Sequence, residues 1–117
     1  MQFEARELKS YASPVTADAL KQGEVYFSVQ FADENMLIPI VETWAFVGKG
    51  LDPEDTEHHL YFQDVESYLH GVRYGSPGAE DATFQVSLEG STNHIFEYEQ
   101  ALEELMKCSL RRSKQSG

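Results

Sequence analysis

Among 117 residues there is one cysteine, Cys108, so no internal disulfide can form. That excludes the disulfide-stapled secreted folds and favours a reducing compartment. Long apolar runs are also missing. None approaches the roughly 20 residues that span a bilayer, and the first twenty residues lack the apolar core of a secretory signal. These shortages point to a cytoplasmic protein without membrane contact. Cations are scarce: nine Lys and Arg stand against 20 Asp and Glu, a net charge of −11. All 20 acids precede Lys107, with only five cations among them, so residues 1–106 carry −15 and the last eleven carry +4. An acidic body repels phosphate backbones, which argues against nucleic-acid binding. It suits solubility, or a basic protein partner. No serine sits in a nucleophile elbow, and no glycine-rich phosphate loop follows a strand.

What the chain does have is enough apolar and aromatic content, 41% and 12%, for one folded domain. The central stretch, residues 24–48, organises it. Val25, Phe27, Val29 and Phe31 alternate with Tyr26, Ser28 and Gln30, the period of a half-buried strand. Asp33, Glu34 and Asn35 make a polar turn. A second strand over 36–47 follows, apolar on both faces. Met36, Ile38, Ile40, Glu42, Trp44 and Phe46 share one side, and Leu37, Pro39, Val41, Thr43, Ala45 and Val47 share the other. Such a strand calls for cover on both sides. Pro39 cannot donate to a ladder and belongs at an edge, a bulge or in solvent.

Around this hairpin the elements follow in order. Residues 2–12 read as a short helix. Ser13-Pro14 opens a second one through ADALKQ, with Thr16 as a rival cap and Gly23 closing it. GKGLDPEDTE is a surface loop, residues 59–63 a third strand, and Asp64 caps a helix over 64–71 on the stripe Val65, Tyr68, Leu69 and Val72. A loop over 74–81 leads to a strand over 82–88. HIFE at 94–97 is either a short fifth strand or the entry to the last helix, 98–111. On that helix Tyr98, Ala101, Leu102, Leu105 and Ser109 share one face, with Met106 beside it. The fold class is α+β, a two-layer sandwich in the order α-β-β-β-α-β-(β)-α, with an antiparallel sheet of four to five strands. Residues 1–112 form one domain, and 113–117 a flexible basic tail.

Few residues invite chemistry. Glu42 lies on an apolar face, with His59 or Arg73 as a possible partner for acid–base work; a strand twisted enough to leave Glu42 at the rim is the plainer alternative. His58 and His59 follow four acids, but on a strand they point to opposite faces and cannot share an ion. We therefore expect no metal site and no cofactor. Cys108 reads as a small packing residue. Trp44, Tyr61 and Tyr68 are the binding candidates, although aromatics at such spacings more often build a core.

The order of elements and the low pI are similar to those of the small acidic secretion chaperones, dimers that hold an unfolded client. That similarity implies a self-associating domain with a protein partner. The sequence reading is thus a non-catalytic, protein-binding homodimer, chaperone-like or regulatory. Two alternatives stand beside it: a small enzyme or ligand binder using Glu42 and nearby aromatics, and an acidic immunity-type neutraliser of a basic partner.

Overall fold

The computed structural model describes residues 13–116. The helix expected over 2–12 lies outside them. Among the described residues, five strands form one antiparallel sheet: β1 (Val25–Phe31), β2 (Pro39–Lys49), β3 (Leu60–Asp64), β4 (Phe84–Ser87) and β5 (Ile95–Phe96). Their order across the sheet is β4-β3-β2-β1-β5. Two α-helices accompany them, α1 (Val65–Leu69) and α2 (Tyr98–Ser116). The α+β class and the order of elements are as the sequence predicts, and residues 95–96 are a strand.

Directly opposed residues of an antiparallel pair share a face, so the ladder assigns the sides. Tyr26 faces Trp44, and Phe46 faces Phe62. These side chains build the larger core with Val15, Leu60 and Ile95, and Ala17 and Leu20 pack against it. That face is covered by the segment 13–22. Phe27 opposes Phe96 on the other face. There Val29, Phe96 and Ala101 form a second cluster with Phe27, Phe31 and Leu105, beneath α2. Gln63 opposes Ala45 on this same face, and its amide donates to Ser67 Oγ and Val72 O at 2.9 Å each. Both helices therefore sit on one face of the sheet.

Four details depart from the sequence reading. Residues 13–22 do not form the expected helix but a single 3₁₀ turn, Ala17–Ala19, after Thr16, whose side chain makes no cap bond. The backbone there serves the sheet instead: Val15 N–H donates to Ile95 O, and Lys21 N–H donates to the Tyr26 hydroxyl. Strand β2 starts at Pro39 rather than Met36. Asp33 takes the N–H groups of Leu37 and Ile38 on its carboxylate, and Met36 adopts a positive φ of 59°, so the turn widens to reach Ile38. Proline as the first strand residue forfeits no ladder bond. At its far end β2 passes a bulge between Phe46 and Gly48; Gly48 has φ +141°, and a Cβ there would meet Leu51 Cδ2 at 2.9 Å. Helix α2 continues to Ser116, past the predicted end near Arg112. Its late cations hold the hairpin turn: Arg111 Nε donates to Met36 O and Arg112 Nη1 to Leu37 O, both at 3.0 Å.

The two-faced strand divides along its length. Trp44, Ala45, Phe46 and Val47 are buried on both sides, while Ile40, Val41, Glu42 and Thr43 are exposed on both sides. The segment 13–22 and α1 both lie over the far half, and nothing among the described residues covers the near half fully. No helix of the described residues is long and apolar enough to cross a membrane.

Candidate functional site

Glu42 lies in the exposed half of β2, opposite Ser28. The structure does not bring His59 or Arg73 to it. His59 adjoins Leu60, which pairs with Lys49, seven positions further along β2 or roughly 23 Å at strand rise. Arg73 stacks over the Tyr68 ring at 4.1 Å, and its Nη1 donates to Tyr68 O and Val72 O. Glu42 is the rim residue of the plainer sequence reading.

His59 instead belongs to a knot centred on Asp55. The Asp55 carboxylate accepts the backbone N–H groups of Glu57 and His59, and the Tyr61 hydroxyl at 2.9 Å. It also bonds His59 Nδ1 at 2.8 Å, and His59 Nε2 reaches Glu57 at 3.3 Å. Burial alone pushes the Asp55 carboxyl up, but the bonds from His59 and Tyr61 overcome it and hold the group at about 2, below its ordinary 3.8. The same bond to Asp55 raises the His59 pKa against the opposing effect of burial. Burial raises Tyr61, and its bond to Asp55 raises it further. This knot pins the acidic loop to the start of β3 above a shallow notch. The described residues hold no group of three or more His, Cys, Asp or Glu able to bind a metal ion. His58, with φ +54°, is exposed, and both histidines precede β3, so the strand alternation expected to part them does not apply. The arrangement fastens a loop.

The aromatic binding candidates are largely committed elsewhere. Trp44 and Tyr61 are buried. Tyr61 meets the Tyr74 ring edge-on at 5.2 Å, and Tyr74 meets Phe84 at the same distance. Tyr68 lies half-buried beneath Arg73. Cys108 is buried, its Sγ 3.5 Å from Met36 O.

An open apolar surface lies on α2, and it divides the helix face that the sequence reading grouped together. Ala101, Leu105 and Cys108 turn toward the sheet. Tyr98, Leu102, Met106 and Leu110 do not: each is between 51% and 65% exposed. Spaced by four, they form one continuous i±4 ridge. Its base touches the sheet where Tyr98 meets Phe27 edge-on at 4.6 Å. Glu104, on the opposite flank of the helix, shares a groove with Asn93, His94 and Phe96 at the β5 edge. The ridge therefore looks the other way, toward β2. On that side lies Val41, which opposes Val29 on the helix face and is 44% exposed. Leu69 of α1, also exposed, stands on the same face of the sheet. The ridge is an exposed apolar row, and Val41 is a further exposed apolar residue on the helix face of the sheet. The signal for it in the sequence is the width of the apolar arc on α2, two adjacent stripes where one would cover the sheet.

Compared with known protein families, with curated proteins and with solved structures, the chain matches none.

Proposed function

We propose that this chain is a non-catalytic protein-binding domain that self-associates. The observation that carries the reading is the exposed α2 ridge of Tyr98, Leu102, Met106 and Leu110. Scattered exposed apolar residues are ordinary, but a contiguous apolar patch with polar surroundings marks an interaction surface. The titratable knot at Asp55 supports the same reading from the other side, because its bonds are spent on holding a loop. The single buried cysteine supports a cytoplasmic setting.

Sedimentation velocity from low to high micromolar concentration tests the proposal. A concentration-dependent shift from monomer to dimer is the expected result. A monomer throughout that range overturns it.

A further inference from the structure

We infer that residues 2–12 of this chain lie along α2, antiparallel to it, on the flank of Gln100, Glu103 and Lys107. The inference is independent of the self-association proposed above, whose ridge runs along the other flank of the helix. Three observations carry it.

The first is burial on the wrong side of α2. Ala101, Leu105 and Cys108 mark the side that turns to the sheet. At 3.6 residues per turn, Glu103 lies about 160° round the helix from Ala101, and Lys107 about 120° round in the same sense. Both would point into water, yet they are 8% and 9% exposed. Glu and Lys are almost never buried unless their charges are paired. The strands that carry α2, β1 and β5, lie under its sheet side. The hairpin turn meets it at Cys108, Arg111 and Arg112, toward its far end. Leu102 and Met106, on the other flank, stay open.

The second is where the described chain begins. Ser13 N–H donates to Gln100 Oε1 at 2.9 Å. Gln100 lies on the same flank, about 100° from Ala101 and less than a turn before Glu103. The residues before Ser13 therefore start beside α2. To cover Glu103 and then Lys107 they run toward the C-terminal end of that helix. From Gln100 to Lys107 is about 10 Å of helix axis, and a helix over 2–12, as the sequence predicts, spans about 16 Å.

The third is composition. Residues 2–12 carry Phe3, Leu8 and Tyr11 together with Glu4, Arg6, Glu7 and Lys9. The stems of Glu103 and Lys107 offer apolar surface below charged tips. An apolar groove of Pro14, Phe31, Met36, Phe96 and Glu104 opens beside them. Antiparallel order sets Lys9 nearer Glu103, and the acids Glu4 and Glu7 nearer Lys107. A segment tethered at Ser13 acts at roughly millimolar effective concentration, which favours it over a free partner.

Thiol labelling of the full chain tests the cover. Glu103→Cys is treated with a maleimide, alone and combined with Leu8→Asp and Tyr11→Asp. Tryptic cleavage at Lys107 separates its label from that of native Cys108, which is buried. The thiol at 103 should react at least about tenfold more slowly than one at exposed Leu102→Cys. The two aspartates should abolish that protection and leave Cys108 closed. Equal rates at 102 and 103 overturn the inference, and so does protection at 103 that survives the aspartates. If the aspartates open Cys108 as well, the fold is lost and an intrachain cross-link decides. Lys9→Cys with Glu103→Cys, joined by a short bifunctional thiol reagent in dilute solution, should link within one chain in excess over Lys9→Cys with Leu102→Cys. Equal yields, or links between chains, overturn the placement.

Discussion

Val29 and Val41 face each other across the β1–β2 ladder and project from the same side of the sheet, yet Val29 is 4% exposed and Val41 44%. The edge of α2 falls between them. One valine belongs to the fold and the other to the surface beside it.

Substitution separates these roles. Val29→Ala removes about two buried methylene equivalents and should cost roughly 2 kcal/mol of folding stability. Val41→Ala should leave the monomer within about 0.5 kcal/mol of the parent, as surface changes generally do. Urea denaturation of both variants at low protein concentration checks the contrast, and equal losses would contradict the assignment.

The Asp55 knot should give the protein a stability maximum in mildly acidic solution. Asp55 is depressed to about 2 in the fold, so its contribution is present above its ordinary 3.8 and is lost as the pH falls toward 2. His59 is raised above its ordinary 6.5, so its contribution is full below that value and is lost as the pH climbs through the folded one. Thermal midpoints measured from pH 2 to 9 should fall on both sides, and Asp55→Asn should flatten both limbs. An unchanged profile in the variant would remove Asp55 as the origin.

Asp64 joins α1 to β4. Its carboxylate accepts Ser67 N–H at 3.0 Å, capping the helix, and Thr83 N–H at 2.8 Å. Asp64→Ala should cost about 1–2 kcal/mol, the upper part of the range for a lost cap, and should loosen β4 as well. Hydrogen exchange at Thr83 and along Phe84–Ser87 reads the second effect; protection unchanged there would confine Asp64 to capping.

His58 and His59 should not make a zinc site. Calorimetric titration should show at most weak binding. A micromolar site abolished by His59→Ala would overturn this expectation, since the His59 ring is already bonded to Asp55 and Glu57.

The parts of the fold legible in the sequence were those set by local period. The alternation from Val25 to Phe31 gives β1, and the 3.6-residue spacing after Tyr98 gives α2. What escaped depends on distant partners. The start of β2 was hidden because the Asp33 side chain competes for the N–H groups of Leu37 and Ile38, which period alone assigns to the ladder. The segment 13–22 carries good cap residues, yet the carbonyl of Ile95 and the hydroxyl of Tyr26 claim its N–H groups. Alternation places Glu42 with Trp44, and the plainer reading set it at the rim, where it lies. Only the cover over each half of β2 shows that Trp44 is inside and Glu42 outside. On α2 the sequence grouped Leu102 with Leu105 on one face; a helical wheel shows them as neighbours, but not that Leu105 packs on the sheet while Leu102 stays exposed.

The pairing of Phe27 with Phe96 joins positions 69 residues apart, whereas β1–β2, β2–β3 and β3–β4 pair strands adjacent in the chain. Adjacent pairings close short loops and form early; the distant one waits. On a ribosome, β1 through β4 can assemble while Phe27, Val29 and Phe31 still face water, until residues 95–112 emerge and lay α2 over them. The ridge reaches its place in that same late step. A chain interrupted before it would expose Phe27 and Phe31, its own core, in place of the ridge.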